Sequence, residues 1–372
     1  MKIDLSKPNI ENNELIAIKK SIKTGWLTHG ENNKKFENLF QKKFNIKYAL
    51  SLNSCTSALE IAVKCLNKKG EIIVPSFTWV SSANAIINCG CTPVFTDIDF
   101  NSKNIDPNKI EQKINKKTIA IMVVHFGGLP CEMSNIIRLC KKYDIELIED
   151  SAETLGATYN NKFTGSFGIG CFSFFPTKNI TTTEGGMITF QKRSHYEKSK
   201  LLIAHGINKN LKQNSWHRES SVPGHNFRLP NHLALLGLMQ LKKLDKLNNK
   251  RRKIAKIYDK HISNYDNFFK TPNFSNKYSH SYQMYSITCN PKYRNDLVKY
   301  LNNNGVGASV HFDPPLHQQN YLKKYKNKND KLINTDKLSK SIITLPMFPD
   351  LKIKEINYVL KIIDKWYKKK FK

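Results

Sequence analysis

The sequence predicts an α/β protein, with a mainly parallel sheet in a large domain and a smaller α+β domain after it. Three observations carry this. Short apolar segments at 48–52, 71–75, 93–98, 119–124 and 145–148 alternate with helical stretches, at the spacing of strand–helix–strand units. The segment IAIMVV at 119–124 is nearly all apolar, as a parallel strand covered on both faces must be. The chain has 372 residues, enough for two domains, and its 40% hydrophobic and 24% charged content is that of a globular protein.

Residues 11–21 read as a short helix, followed by a glycine-flanked loop, TGWLTHG, at 24–30. Phe36, Leu39, Phe40 and Phe44 recur at helical spacing. The strand at 48–52 runs into Asn53-Ser54-Cys55-Thr56. This turn opens a helix whose buried stripe is Ala58, Leu59, Ala62, Cys65 and Leu66. A Ser/Thr turn at a helix start presents free N–H groups and the positive end of the helix dipole to an anion. A plain helix cap has the same appearance.

After the strand at 71–75, Ser76-Phe77-Thr78-Trp79 starts a helix running to about Asn88, and 93–98 is a strand. His125-Phe126-Gly127-Gly128 leaves the strand at 119–124, and a helix spans 131–143. The strand at 145–148 ends in Glu149-Asp150. Ligands of such sheets sit at the carboxyl ends of strands. Asp150 and the turn of Ser54, Cys55 and Thr56 both lie there.

Residues 170–190, GCFSFFPTKNITTTEGGMITF, hold a lysine between two apolar strands. Cys171, Phe172, Phe174 and Phe175 form the first strand, Pro176 and Thr177 break it, and Gly185-Gly186 turn the chain into the second. A lysine held against apolar strands is partly desolvated, which makes its amine nucleophilic, as a Schiff-base lysine requires. Taken alone, Lys178 would be one more surface lysine.

Beyond it, 205–226 is polar and loop-like. A helix spans 233–247, and 251–262 continues or restarts it. The domain boundary is placed at Leu247, giving domains 1–247 and 248–372, with the N-terminal segment packing on the smaller one. That domain should contain strands at 282–289 and 308–312, a helix at 295–302 and a terminal helix at 352–366.

The formal net charge of +30 raises nucleic-acid binding as a possibility. Against it, the lysines spread from end to end among asparagines, and only seven arginines are present. The charge reads as a solvated surface that helps attract an anionic substrate. No apolar run has membrane-spanning length, and MKIDLSKPNI lacks the apolar core of a signal peptide, so a cytoplasmic protein is expected. The eight cysteines are scattered, and Cys89-x-Cys91 lacks a second ligand pair; free buried thiols are expected, with no metal.

A phosphate-ready helix start, an aromatic after a strand (Trp79), a strand-end carboxylate (Asp150) and a hairpin lysine (Lys178) are the parts of a pyridoxal phosphate (PLP) site. Trp79 alone reads more readily as core, Asp150 as a cap, Ser173 as a buried hydroxyl, and His311 and His317 as structural. The ordered segments IIVPSFTWVSSANAI, LIEDSAETLGATYNNKFTGSFG and CFSFFPTKNITTTEGGMI lift Lys178, Asp150, Trp79 and Ser173 above those readings. TGWLTHG, NSCTSALEIA, PGHNFRLPNHLALLGLMQL, GVGASVHFDPPLH and LPMFPDL add to the set. Together they resemble the DegT/StrS-type nucleotide-sugar aminotransferases, PLP enzymes of fold type I, over almost the whole chain.

The resemblance implies a seven-stranded-type sheet, PLP as cofactor, and transfer of an amino group from L-glutamate to a nucleoside-diphosphate keto sugar for surface polysaccharide or glycan synthesis, including O-antigen. It implies Lys178 as the Schiff-base lysine and proton shuttle, and Asp150 as partner of the pyridine nitrogen. Trp79 is implied on the ring, with Ser54, Cys55, Thr56 and Ser173 at the phosphate and Glu153 beside the cofactor. Asn226 matches an asparagine reaching the neighbouring subunit's cofactor, hence a homodimer with shared sites. Thr28, His29 and His311 match loops on the sugar side, and Arg228 is either an acid clamp or a surface ion pair.

Two departures are informative. Cys55 stands where relatives often have Gly, which leaves backbone contacts possible. Glu153 stands where many have His or Gln, and suggests a 4-keto-6-deoxy sugar. The Thr183-Glu184-Gly185-Gly186 pattern points the same way, to amination at C4 with C3 as the alternative. A histidine-for-lysine dehydratase branch is excluded by Lys178. The reading from another class is a catalytically idle PLP-fold regulator or nucleic-acid binder.

Overall fold

The computed structural model describes residues 1–208, 216–327 and 330–371. In chain order the elements are α1 (Asn12–Lys23), α2 (Glu31–Phe44), β1 (Tyr48–Leu52), α3 (Cys55–Cys65), β2 (Glu71–Pro75), α4 (Val80–Asn88) and β3 (Thr92–Thr96). Next come α5 (Pro107–Glu111), β4 (Thr118–Val124), α6 (Met133–Tyr143), β5 (Glu146–Asp150), the short strands β6 (Thr158–Tyr159) and β7 (Lys162–Phe163), β8 (Ile169–Ser173) and β9 (Gly186–Phe190). The remainder is α7 (Arg193–Leu202), α8 (Asn231–Ile262), β10 (Tyr278–Ser279), β11 (Tyr285–Thr288), α9 (Pro291–Asn303), α10 (Ile333–Ser341), β12 (Ile342–Leu345) and α11 (Ile353–Phe371).

The main sheet has seven strands in the order β1-β9-β8-β5-β4-β2-β3. All run parallel except β9, which pairs antiparallel with both β1 and β8. Both faces are covered, and the side chains divide by the two-residue period of a strand. Ile72, Val74 and Met122 point into a core with α3 and α4. Ile73, Ile121 and Val123 point the other way, onto Ile136 and Leu139 of α6. This is why the central strands read as unbroken apolar runs.

Helix α8 is one unbroken helix of 32 residues. Its first half buries Ala234, Leu241, Leu244 and Leu247 with Phe36 and Phe40 of α2. Its second half buries Ile254, Tyr258 and Ile262 with Leu297 of α9 and Ile363 and Trp366 of α11. The two cores therefore meet along a helix and not at a loop. Ile3 lies in the second core and bridges Val306. Where the cores meet, Arg251 is buried and donates from Nη1 to the carbonyls of Tyr282, Gln283 and Met347. Burial without a carboxylate partner pulls its pKa down to about 10.

Three expectations need correction. Residues 308–312 form no strand: only Ser309 pairs, with Thr344, after which the chain bends. The bend is fixed by packing, because Phe312 leaves the β12 edge to join Phe77 and Phe126. Strand β8 ends at Ser173, two residues early, as Phe174 and Phe175 turn toward Lys178. The helix expected from Ser76 begins at Val80, leaving Trp79 as its N-cap residue. No helix among the described residues is long and apolar enough to cross a membrane, and the eight cysteines are free.

Candidate active site

The carboxyl ends of β1, β2, β5 and β8 open into a cavity of about 440 Å³. Its wall includes Ser54, Cys55, Thr56, Trp79, Asp150, Glu153, Ser173, Lys178 and His311, residues far apart in sequence.

At one end, the side chain of Ser54 caps α3 by accepting from the Ser57 N–H at 3.1 Å. The first-turn N–H groups of Cys55 and Thr56 remain at the open helix end, where the dipole favours an anion. Burial pushes the Cys55 thiol well above its ordinary pKa. Its contribution here is therefore the backbone amide and not a thiolate. Thr56 Oγ1 donates to Ser81 Oγ at 3.0 Å, adding hydroxyls to the same end.

On the floor, Asp150 ends β5 and is buried. Its Oδ2 accepts from Ser82 Oγ at 2.8 Å and its Oδ1 from the Ala152 N–H at 3.2 Å. Burial raises its pKa. Among the described residues it has no ion-pair partner. A buried carboxylate without a counter-charge suits a ligand that brings a cationic N–H. Thr78, one turn before Ser82, hydrogen-bonds it at 3.0 Å and fixes its rotamer.

Lys178 sits on the β8–β9 loop. Its N–H donates to the Phe175 carbonyl at 2.9 Å, and Thr182 N–H closes the loop onto Phe174 at 3.0 Å. Its neighbour Asn179 donates from Nδ2 to Asn248 of α8 at 2.7 Å and to the Ser281 carbonyl at 3.0 Å. Lys178 Nζ lies 3.3 Å from Glu153 Oε1. Glu153 is itself held, with Oε2 accepting from the Gly127 N–H at 2.8 Å.

The double glycine was expected to serve a turn, but the left-handed residue of that loop is Thr183, at φ 66°. Gly186 is needed for a close approach. A Cβ there would lie 2.5 Å from the Ser54 carbonyl and 2.7 Å from the Cys55 nitrogen. The lysine hairpin and the anion-binding turn are thus packed backbone to backbone.

Trp79 is 63% exposed, so the reading of it as core fails; it stands at the cavity mouth, 6.2 Å from the Phe312 ring. His311 is in the wall, with Nδ1 hydrogen-bonded to Thr344 Oγ1 at 2.8 Å. Burial pulls its pKa down, so it is neutral at pH 7. His317 is structural, buried between Ser76 and Asp336.

Four of the expected site residues lie outside this cavity. His29 borders a different groove beside α1 and α2, where its Nε2 is 3.7 Å from Glu37, and Thr28 precedes it in the chain. Asn226 ends the 205–226 segment, of which residues 209–215 lie outside the described residues, and Arg228 follows it. Among the described residues Arg228 has no ion-pair partner, against the surface ion-pair alternative: Nε donates to Asn226 Oδ1 at 3.1 Å and Nη2 lies 3.3 Å from His205.

Sequence reasoning missed Gln283, Ser82 and the pair His125–Glu149. Glu149, fully buried, accepts from the N–H groups of Gly165, Phe167 and Gly168, each at 2.8 Å, and meets His125 Nε2 at 3.2 Å. His125 Nδ1 accepts from the Cys131 N–H, so Nε2 carries the proton toward Glu149. The only signal was a charged residue in an apolar strand directly before Asp150.

Comparison with known proteins agrees with this geometry. The model of the DegT/DnrJ/EryC1/StrS aminotransferase family matches residues 8–364. The chain is 34% identical to GDP-perosamine synthase of Escherichia coli O157:H7, over 99% of each chain. It is also 34% identical to the UDP-4-amino-4,6-dideoxy-N-acetyl-beta-L-altrosamine transaminase of Campylobacter jejuni, over 96% of this chain and 95% of that one. The pyridoxamine phosphate (PMP) form of a putative sugar aminotransferase from Streptococcus pneumoniae superposes with TM-score 0.93 at 26% identity, covering 99% of this chain and 100% of that one.

Proposed function

Belonging to the DegT/DnrJ/EryC1/StrS aminotransferase family, this chain is a PLP-dependent sugar-nucleotide aminotransferase, and we propose that it aminates C4 of a 4-keto-6-deoxy sugar with L-glutamate as donor. The observation that carries the C4 reading is the 34% identity, over nearly the full length, to an enzyme whose name specifies a 4-amino-4,6-dideoxy sugar. Glu153 and Glu184 in the cavity wall support it.

When bound, PLP supplies a carbonyl that takes up an amino group and a pyridine ring that draws electrons from the adjacent carbon. The residues present suit it. The helix start at Ser54, Cys55 and Thr56, with Ser173 and Ser81 nearby, holds the phosphate, and Trp79 covers the ring. Asp150, buried and with no ion-pair partner among the described residues, keeps a proton on the pyridine nitrogen. Lys178 binds the cofactor and moves the proton at the reacting carbon through Nζ. Glu153, 3.3 Å away, keeps the released amine inside the cavity.

Asn226 lies outside the cavity of its own chain, which supports the reading that it completes a neighbouring subunit's site in a homodimer. The product serves polysaccharide synthesis, in the cytoplasm.

The test is the visible spectrum of purified holoenzyme before and after L-glutamate. Bleaching of the yellow band, followed by its return with a dTDP-, GDP- or UDP-linked 4-keto-6-deoxy sugar, is expected. NMR of the product should place nitrogen on C4; nitrogen on C3 would overturn the regiochemistry. A band indifferent to glutamate would overturn the donor.

A further inference from the structure

The turn from β2 into α4 meets the site at three places within one helical turn. Trp79 stands at the cavity mouth. Ser81 Oγ accepts from Thr56 Oγ1 at 3.0 Å at the anion-binding end. Ser82 Oγ donates to Asp150 Oδ2 at 2.8 Å on the floor. A serine in the first turn of a helix ordinarily faces solvent or bonds its own backbone. Ser82 is instead fully buried, and its hydroxyl crosses to the end of β5, 68 residues further along the chain. Thr78, also buried, has its Oγ1 3.0 Å from Ser82 Oγ.

The chemistry of these groups fixes the direction of both bonds. An ionised carboxylate only accepts, and a hydroxyl has one hydrogen to give. Ser82 therefore directs its hydrogen to Asp150, and Thr78 directs its own to Ser82. Aligned donors strengthen one another. The Ala152 N–H reaches the other oxygen, Oδ1, at 3.2 Å. With a donor on each oxygen the carboxylate plane is held, and each oxygen keeps a lone pair for a further partner. Burial pushes Asp150 toward its neutral form, and the Ser82 bond is the largest opposing contact. Of the charged groups facing it, Glu153 adds to the push and Lys178 opposes it. The thiols of Cys55 and Cys171 beside it are buried and stay protonated, and Glu149 points to the opposite face of β5. Resting on the sugar-aminotransferase reading above, we infer that Ser82 is a positioning residue for the reaction: its hydroxyl, backed by Thr78, holds the Asp150 carboxylate charged and aligned for the pyridine nitrogen of PLP. A neutral or turned carboxyl group loses its hold on the proton of that nitrogen, on which the electron-drawing power of the ring depends.

The experiment uses Ser82→Ala and the near-isosteric Thr78→Val. In the cofactor-free full chain, the side-chain carboxyl of Asp150 is titrated by carbon NMR, its signal assigned by its loss in Asp150→Asn. Ser82→Ala should move the midpoint up by about one pH unit, a tenfold change in proton affinity. In the same variant, PLP Kd should rise and kcat should fall by about tenfold each, as for the loss of one hydrogen bond to a charged group. KM for L-glutamate should stay within about twofold, since Ser82 acts through Asp150 and not on the donor. Thr78→Val should move the midpoint the same way by a smaller amount. A lowered Tm with an unmoved midpoint in Ser82→Ala would reduce Ser82 to packing and overturn the inference. So would wild-type Kd and kcat despite a moved midpoint. If Ser82→Ala does not fold, the midpoint in Thr78→Val decides by the same criterion. A failure of the parent reading is distinct, because wild type itself would then not bleach with L-glutamate while the midpoint shift would remain.

Discussion

Gly186 passes Ser54 at a distance no side chain tolerates: a Cβ there would lie 2.5 Å from the Ser54 carbonyl. Strand β9, which closes the lysine loop, is thereby pressed against the turn that opens α3. Gly186→Ala should push the two apart. The expected cost is about 1–3 kcal/mol of stability, as for overpacked interiors, with a raised Kd for PLP. Thermal melting and PLP titration check both; an unchanged Kd would show that the contact is only structural.

Lys178→Ala should abolish turnover with near-normal folding, because the side chain reaches into the cavity and no core packing depends on it. The yellow band at the position of lysine-bound PLP should be absent, and added methylamine should restore part of the activity. Wild-type turnover in this variant would remove Lys178 from the mechanism.

Asp150 should show opposite effects on stability and activity. Burial raises its folded pKa above the ordinary 3.8, with Ser82 and the Ala152 amide opposing. A raised carboxyl pKa makes the folded state the tighter proton binder. This contribution to folding is therefore present at low pH and lost as pH rises from 3.8 through the folded value. Asp150→Asn should raise Tm of the cofactor-free protein at pH 7.5, by about 2 °C. It should lower kcat by about 100-fold or more, because no charge remains to hold the pyridine proton. A Tm below wild type would show that the carboxylate is better solvated than its burial indicates.

Glu149 ties three backbone N–H groups and His125 to the end of β5. Glu149→Ala leaves those donors unpaired in the interior and should cost about 3 kcal/mol or more. Denaturant unfolding measures it, and a cost below about 1 kcal/mol would mean that the 165–168 loop repacks.

Asn226 tests the shared site. Lys178→Ala and Asn226→Ala variants, each impaired alone, should regain activity when unfolded and refolded together, because a mixed dimer then holds one site with both residues intact. No recovery would assign Asn226 to its own chain.

The parallel α/β order was legible because burial on both faces leaves runs such as IAIMVV, and the strand-end positions of Ser54 and Asp150 followed from strand–helix alternation. Lys178 was legible through its apolar strands and through the motif around it. The 308–312 strand failed because local β propensity was outweighed by Phe312 packing on Phe77 and Phe126. The double glycine was read as a turn because sequence shows where backbone is permissive, not what it passes.

By itself, then, the sequence determined which residue types stand at which strand ends, since alternation and motif order are local properties of the chain. The tertiary structure alone decided that Gly186 abuts Ser54, that Glu153 meets Lys178, that Trp79 is at the mouth and that Gln283 holds the Thr177 carbonyl of the lysine loop. Those relations join segments dozens of residues or more apart in sequence. They are set by how the sheet, α8 and the small domain pack, and periodicity carries no record of that packing.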